Sequence, residues 1–130
     1  MDKKKTASLV CIVDDDESVR KALKRLIVST GGNVEVFSSI EEFIHSGFIE
    51  RSECLIVDVH MLGGSGFDLK EYLSISGHDI PVIFITAHDS EETRKRAEQV
   101  GCKGYLKKPF DDQLLLDAID RACREEFPDT

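Results

Sequence analysis

The hydrophobic residues of this chain follow two patterns, which alternate along the sequence. Short continuous apolar runs are typical of strands buried on both faces, and apolar residues three or four positions apart are typical of amphipathic helices. The runs predict five strands, at residues 9–13, 34–37, 54–57, 82–85 and 104–106. Because a spaced stretch follows each run, the pattern predicts five strand–helix units.

Three of the predicted helices have a clear apolar face. The first is marked by Val19, Ala22, Leu23, Leu26 and Ile27, the third by Phe67, Leu69, Tyr72 and Leu73, and the last by Leu114, Leu115, Ala118, Ile119 and Ala122. Asp111 is placed to cap the last helix. We expect these apolar faces to pack on the sheet.

The second and fourth helices are marked by their predicted N-termini. Ser39 with Glu42 fits a capping box, and Gly47 is expected near the end of the second helix. Asp89 with Glu92 predicts a similar cap on the fourth helix, which extends to about residue 100. Because this fourth helix has few apolar residues, we expect it to be loosely held.

A strand–helix repeat of this kind predicts a parallel sheet with helices on both faces. The expected fold class is α/β, doubly wound, with the flavodoxin-like strand order 2-1-3-4-5. Residues 1–130 are predicted to form a single domain, with its core at about 9–124 and a short tail at each end.

Composition excludes several function classes. The net charge of −8 argues against direct binding to nucleic acid or to anionic membranes. The chain has no apolar run long enough for a membrane span or an export signal, which favours a cytoplasmic protein. The four cysteines are far apart in sequence and have no metal-site spacing, so we expect free thiols in a reducing compartment.

Polar side chains follow the predicted strands at the same end of the sheet. Asp14 and Asp15 follow the first strand, Asp58 ends the third, Thr86 follows the fourth and Lys108 follows the fifth. Each has an ordinary explanation alone, such as helix capping for the paired aspartates or a solvated charge for the lysine. Their joint placement at the carboxyl ends of parallel strands predicts one site around Asp58.

The composition of this site indicates phosphoryl-transfer chemistry. Three crowded carboxylates repel one another, and a divalent cation with oxygen ligands relieves that repulsion. We expect Mg²⁺, with Mn²⁺ as the alternative. Asp58 then becomes a candidate nucleophile that forms an acyl phosphate, while Lys108 offsets the phosphoryl charge and Thr86 donates a hydroxyl.

With these residues in place, the chain resembles the receiver, or CheY-like, domain of bacterial two-component response regulators. The resemblance extends from about residue 9 to residue 123 and is carried by several motifs together. They are Val13-Asp14-Asp15, Asp58 after Leu55-Ile56-Val57, Thr86-Ala87, and Lys108-Pro109-Phe110 with Tyr105 three positions before the lysine.

The resemblance implies a phosphoacceptor role for Asp58. It implies that Asp58 receives phosphate from a phosphohistidine on a sensor histidine kinase or a phosphotransfer protein. It also implies that Asp14, Asp15, Asp58 and the backbone carbonyl of His60 surround Mg²⁺, with Asp15 the more direct ligand and Asp14 acting partly through water. Such a domain is a regulator that assists its own phosphorylation and dephosphorylation, rather than an enzyme.

The resemblance also implies a conformational switch. Phosphorylation draws Thr86 toward Asp58, and Tyr105 turns inward into the space that Thr86 leaves. This alters a surface formed by the fourth helix, fifth strand and fifth helix, to which an output domain, a downstream protein or a second copy of the domain binds. The Lys108–Pro109 peptide bond is expected to be cis.

One segment departs from the family pattern. Family members commonly have proline four residues after the acceptor aspartate, where this chain has Leu62, followed by Gly63 and Gly64. We expect this loop to be more mobile than in relatives, which affects the lifetime of the phosphoryl group. His60 and His88, each two residues past a site residue, lie at positions that tune water access in the family. The alternative interpretation is that both are ordinary exposed loop histidines.

Two other classes of binding protein fit the sequence less well. A flavodoxin-like module that binds FMN shares the predicted fold, but the chain has aspartates where a phosphate-cradling loop is needed after the first strand. A calcium loop beginning at Asp14 fails because Val19 and Arg25 replace the required glycine and glutamate. The FMN-binding module stays as the alternative hypothesis.

Overall fold

The computed structural model describes residues 9–124. Five strands form its main sheet, and each follows an apolar run of the sequence. They are β1 (Leu9–Val13), β2 (Asn33–Phe37), β3 (Cys54–Asp58), β4 (Val82–Thr86) and β5 (Gly104–Lys107). All five pair in parallel, in the order β2-β1-β3-β4-β5, which confirms the predicted doubly wound α/β fold.

Five α-helices connect and cover the strands. They are α1 (Glu17–Ser29), α2 (Ile40–Ile44), α3 (Gly66–Ile75), α4 (Glu91–Val100) and α5 (Asp112–Arg124). A short 3₁₀ helix, Ile49–Arg51, lies between α2 and β3. Within residues 9–124, no helix has the length and apolar character needed to cross a membrane.

The core consists of two apolar layers, one on each face of the sheet. Phe43, Leu69, Leu73 and Phe84 belong to the layer under α2, α3 and α4. Leu23, Ile27, Ile56 and Leu115 belong to the layer under α1 and α5. Because successive residues of a strand point to opposite faces, the central strands β1, β3 and β4 are buried along their whole length.

Of the two helix caps predicted at aspartates, one differs from the structure. Ser90, not Asp89, caps α4, and its side chain accepts a hydrogen bond from the Thr93 backbone N–H at 3.0 Å. The predicted Asp89 cap is therefore wrong, because the Asp89 carboxylate binds other side chains. The predicted cap by Asp111 is confirmed, since Asp111 Oδ1 accepts from the Gln113 N–H at 2.9 Å.

The second helix is shorter than predicted. It ends at Ile44, and Gly47 lies beyond it with φ +85°, in the left-handed region that glycine adopts without strain. The Ser39 side chain accepts from the Glu42 N–H as a capping box requires. The Glu42 carboxylate, however, accepts from the Ser38 N–H rather than from Ser39, so the box is shifted by one residue on that side.

Three residues assigned to apolar helix faces are exposed. Leu114 is 54% exposed and Tyr72 is 42% exposed, and Ala22 is also exposed. The predicted inward orientation of Leu114 is wrong, and Ala22 and Tyr72, which mark their helices in the sequence, are not buried. Helical periodicity does not fix the edge of an apolar face, and all three lie at the edge of a face whose centre is buried.

The segment after Asp58 forms a short hairpin that the sequence pattern did not predict. His60–Met61 pairs antiparallel with Gly64–Ser65, and Gly63 in the turn adopts φ +82°. Leu62, at the tip of the hairpin, is 89% exposed. The segment therefore has ordered backbone pairing rather than an irregular loop.

Candidate functional site

The predicted site residues meet at the carboxyl ends of the strands. Asp58 is the last residue of β3 and pairs with Ile85 of β4, so Thr86 lies one position further along the neighbouring strand. Asp14 follows β1 directly, and its backbone N–H donates to the Phe37 carbonyl at 3.1 Å. Asp14, Asp58 and Thr86 are buried. They are the only buried polar or charged residues within 9–124, and all three belong to this site.

Lys108 joins two of the carboxylates. Its Nζ donates to Asp58 Oδ2 at 2.7 Å and to Asp14 Oδ2 at 3.0 Å, and only 17% of its side chain is exposed. Burial opposes the lysine charge, but the hydrogen bonds to Asp58 and Asp14 outweigh it and raise the pKa of Lys108. Lys108 is therefore held as an ammonium between the two acids.

The backbone at Lys108 fixes its side chain in this position. The Lys108 N–H donates to the Thr86 carbonyl at 2.7 Å, which ties the end of β5 to the end of β4. The Lys108–Pro109 peptide bond is cis, as expected from the resemblance. The turn after β5 therefore begins at a residue whose backbone and side chain both contact the site.

The remaining carboxylate oxygens of Asp14 and Asp58 accept backbone hydrogen bonds. Asp14 Oδ1 accepts from the Asp16 N–H and Asp58 Oδ1 from the His60 N–H, each at 2.9 Å. Burial, reinforced by the nearby charge of Asp58, raises the pKa of the Asp14 carboxyl. Lys108 thus supplies one ammonium for two buried carboxylates.

Asp15 makes a different contact from the two acids that Lys108 binds. It is exposed, and its Oδ2 accepts a hydrogen bond from the Leu62 N–H at 3.1 Å. In the part of the chain that the structure describes, no three His, Cys, Asp or Glu side chains are grouped closely enough to hold a metal ion. Joint binding of a cation by all three aspartates therefore requires at least one of these contacts to change.

Thr86 and two histidines surround the entrance to the site. Thr86 Oγ1 accepts from the His88 N–H at 3.0 Å. The rings of His60 and His88 are both exposed, and they meet edge to face with 5.6 Å between their centroids. The two histidines that the sequence placed two residues past Asp58 and Thr86 are thus neighbours across the site.

Tyr105 lies on β5 and is anchored to the start of α4. Its phenol donates to Asp89 Oδ1 at 2.8 Å, and Arg94 binds both Asp89 oxygens, at 3.1 and 2.8 Å. Burial and the hydrogen bond to Asp89 raise the pKa of Tyr105 to about 12. Asp89 and Arg94 were not predicted as partners of Tyr105. The sequence does show that Asp89 follows Thr86 by three positions and that Arg94 lies in the predicted fourth helix.

The fourth helix is anchored as weakly as its sequence predicted. Ala97 is the only buried residue of α4. An ion pair joins Arg96 to Glu71 of α3, and the Arg96 guanidinium also lies over the Phe67 ring, 5.3 Å from its centroid. These contacts are at the surface, so they add little to the attachment of α4.

Gly66, the first residue of α3, packs against the backbone of the acceptor strand. A Cβ at this position would lie 2.8 Å from the Asp58 carbonyl oxygen and 3.2 Å from Val57 Cγ1. Glycine is therefore required by the close approach of α3 to β3. Ser65 and Asp68, on either side of Gly66, form a capping box that the sequence pattern did not predict.

Comparison with known proteins supports the interpretation of this geometry. The family model of the response regulator receiver domain matches residues 10–120. The chain belongs to the response regulator receiver domain family. The receiver is a regulatory, phosphoacceptor signalling domain of two-component systems.

Individual relatives are similar over most of the receiver. Nodulation protein W of Bradyrhizobium diazoefficiens is 38% identical over 121 residues, which are 93% of this chain and 53% of that protein. The response regulator TodT of Pseudomonas putida is 38% identical over 118 residues, 91% of this chain and 52% of TodT. The chain thus spans about half the length of these relatives.

A solved structure shows the same fold. The structure of the response regulator StyR superposes with a TM-score of 0.84 at 40% identity, covering 91% of this chain and 60% of the StyR chain. The expected fold is therefore confirmed independently of the sequence pattern.

Proposed function

We propose that the receiver transfers a phosphoryl group from a phosphohistidine to Asp58. The donor is a sensor histidine kinase or a phosphotransfer protein. The observation that carries this proposal is the Lys108 ammonium, which lies within 2.7 Å of Asp58 and 3.0 Å of Asp14 although 50 and 94 residues separate them in sequence. A largely buried lysine between two buried acids is arranged for chemistry at one of them.

The reaction at Asp58 is a displacement at phosphorus. A carboxylate oxygen of Asp58 forms the new O–P bond, the N–P bond of the phosphohistidine breaks, and the electron pair of that bond leaves with the imidazole. Lys108 offsets charge on the phosphoryl oxygens, because its Nζ already contacts Asp58 Oδ2. The His60 N–H, bound to Oδ1, holds the other oxygen of the carboxylate in place.

The residues of the site fit a hard divalent cation. Asp14, Asp15 and Asp58 supply only oxygen ligands, and Lys108 supplies one ammonium against the two buried carboxylates that it contacts. We propose that these aspartates and the His60 carbonyl hold Mg²⁺, or Mn²⁺ in its place. When bound, the ion neutralises phosphoryl charge during transfer. The Leu62 contact of Asp15 is the one most easily exchanged, because it is exposed.

Thr86 and Tyr105 are proposed to carry the signal away from Asp58. The Thr86 hydroxyl lies on the strand next to Asp58 and would donate to an added phosphoryl oxygen. Tyr105 is held at the surface by Asp89, and release of this hydrogen bond is required before the ring turns inward. Because α4 has one buried residue, a shift of its N-terminus costs little.

The proposed output is a partner-binding surface made of α4, β5 and α5. The partner is an output domain, a downstream protein or a second copy of the receiver. A DNA-binding domain elsewhere in a longer protein would supply any contact with nucleic acid, since the net charge of this chain is −8. Hydrolysis of the acyl phosphate, which the receiver is proposed to assist, returns the surface to its resting form.

Incubation with acetyl phosphate and Mg²⁺ tests the proposal directly. Intact mass spectrometry is expected to show one added phosphoryl group on the wild-type chain and none on Asp58→Asn. Asp68→Asn, which changes an exposed helix-capping carboxylate outside the site, is the matched control and should be labelled like wild type. Equal labelling of wild type and Asp58→Asn would refute the assignment. No structural observation favours the FMN-binding alternative.

A further inference from the structure

His60 and His88 form a pair of exposed imidazoles at the entrance to the site. Their ring centroids lie 5.6 Å apart, and the ring planes make an angle of 74°. Within residues 9–124, no side chain or backbone group makes a hydrogen bond or an ion pair with either ring. The ring nitrogens of this histidine pair are therefore available to an external ligand.

The backbone holds both members of the histidine pair in position. The His60 N–H donates to Asp58 Oδ1 at 2.9 Å, and His60 also pairs with Ser65 in the hairpin. The His88 N–H donates to Thr86 Oγ1 at 3.0 Å, just past the end of the neighbouring strand. Both side chains therefore start from hydrogen-bonded backbone, and only rotation about their own bonds is needed to adjust the rings.

The separation of the two rings suits a shared metal ion. Two imidazoles that bind one tetrahedral Zn²⁺ ion, each through a bond of about 2.0–2.1 Å, have ring centroids roughly 5 Å apart. The observed separation of 5.6 Å is close to this value. The χ2 torsion of histidine has broad preferences, so the edge-to-face rings can each turn one nitrogen toward a common point. Because both rings are exposed, this rotation displaces no buried contact.

We propose that His60 and His88 bind one Zn²⁺ ion at the entrance to the site. Each histidine supplies one ring nitrogen, and water completes the coordination of the ion. Neutral imidazole is a common ligand of Zn²⁺, whereas Mg²⁺ takes oxygen ligands. The zinc site is therefore distinct from the proposed Mg²⁺ site, because His60 offers its ring to one ion and its backbone carbonyl to the other.

Zinc bound by the histidine pair slows phosphoryl transfer to Asp58, a consequence that rests on the proposed function. The backbone of His60 binds Asp58 and the backbone of His88 binds Thr86, so the two rings stand directly beside the residues that a phosphodonor must reach. A hydrated ion between the rings joins them across the entrance and narrows it. Binding of the ion itself does not depend on phosphorylation, so it can be measured separately.

NMR of the histidine rings during a Zn²⁺ titration tests the site. Cys102 and Cys123, the two half-buried cysteines, are replaced by serine in the parent chain, because thiolates also bind zinc. Excess Mg²⁺ is present to compete for the carboxylates. The ring signals of His60 and His88 are expected to shift together and to stop shifting at one ion per chain, while those of the other two histidines stay unchanged. A shift of one ring of the pair without the other would overturn the inference.

Substitution of each histidine measures its share of the binding. His60→Gln and His88→Gln should each weaken Zn²⁺ binding by roughly tenfold or more, because either change removes the second of two linked ligands. His45→Gln alters another exposed histidine and should bind zinc like the parent chain. Circular dichroism checks that the variants are folded. Parental zinc affinity in the His60→Gln, His88→Gln double variant would overturn the inference.

Labelling by acetyl phosphate separates the zinc site from its effect on the reaction. In excess Mg²⁺, added Zn²⁺ should slow labelling of Asp58 several-fold in the parent chain and leave the labelling rate of the double variant unchanged. Equal slowing in both chains would overturn the blocking effect. A chain that binds zinc through both rings but is never labelled would refute the proposed function and would still support the zinc site.

Discussion

The backbone N–H of Leu62 donates a hydrogen bond to Asp15 Oδ2 at 3.1 Å. Related receivers commonly have proline at this position, and proline has no N–H to donate. The departure from the family pattern therefore supplies a donor that would compete with the proposed cation for Asp15. The hairpin around Leu62 is ordered by this contact and by the pairing of His60 with Ser65, rather than by proline.

Replacing Leu62 with proline is expected to strengthen Mg²⁺ binding. The substitution removes the donor to Asp15, so the cation no longer displaces a hydrogen bond worth about 0.5–1.5 kcal/mol. The dissociation constant for Mg²⁺, measured through tyrosine fluorescence, should fall roughly two- to tenfold. Leu62→Ala keeps the N–H and should behave like wild type. Unchanged or weaker binding by Leu62→Pro would contradict this role of Leu62.

Lys108→Ala is expected to impair the response to phosphorylation more than metal binding. The aspartates that form the proposed cation site lose a competing ammonium, so Mg²⁺ binding should be retained or strengthened. The tyrosine fluorescence change produced by acetyl phosphate should be lost, because no ammonium offsets the phosphoryl charge. Lys107→Ala, which alters the exposed neighbouring lysine, is the control. Loss of Mg²⁺ binding before loss of the response would disprove the assigned role.

The phenol of Tyr105 is expected to titrate at a pKa of about 12. The chain has two tyrosines and no tryptophan, so absorbance of the phenolate in Tyr72→Phe reports on Tyr105 alone. Asp89→Asn removes the anionic acceptor and should lower the Tyr105 pKa toward its ordinary value, about 10. Glu92→Gln, a nearby exposed carboxylate, should leave it unchanged.

The same contact makes a prediction about stability and pH. The raised Tyr105 pKa means that its contribution to folding is complete below about pH 10 and is lost as pH rises through about 12. The ion pair with Arg94 and the Tyr105 hydrogen bond lower the Asp89 pKa to about 2, so its contribution is lost as pH falls through that value. A Tyr105 pKa near 10 in the Tyr72→Phe chain would show that the contact is absent in solution.

Gly66→Ala is expected to destabilise the fold at the acceptor strand. The added Cβ would lie 2.8 Å from the Asp58 carbonyl oxygen, and relief requires movement of α3 or β3. Overpacking of this kind costs about 1–3 kcal/mol in the free energy of unfolding, measurable by urea denaturation. At Gly64 a Cβ would meet only the end of the Ile40 side chain, at 3.3 Å, so Gly64→Ala should cost less. The reverse order of stabilities would rule out the packing argument.

The sequence predicted those parts of the fold and site that depend on strand ends. Continuous apolar runs identified all five strands, and the parallel arrangement then brought Asp58, Asp14 and Lys108 together. These predictions succeeded because a buried strand and the position of its carboxyl end are both local properties of the sequence. The small number of apolar residues in the fourth helix likewise predicted the weak attachment of α4.

Contacts between side chains at the surface were not predictable in this way. The link from Tyr105 through Asp89 to Arg94 depends on which of two adjacent residues, Asp89 or Ser90, caps α4. The hairpin after Asp58 depends on a turn at Gly63 that no hydrophobic pattern marks. The orientation of Asp15 toward Leu62 joins residues 47 positions apart, and composition alone does not reveal it.

The most direct test of the phosphoacceptor role is chemical mapping of the modified residue. After incubation with acetyl phosphate and Mg²⁺, sodium borohydride reduces an aspartyl phosphate to homoserine, which peptide mass spectrometry locates. The account predicts homoserine at position 58 in the wild-type chain and at no position in Asp58→Asn. Homoserine at position 14 or 15, or its absence from a chain that has gained a phosphoryl group, would contradict the account.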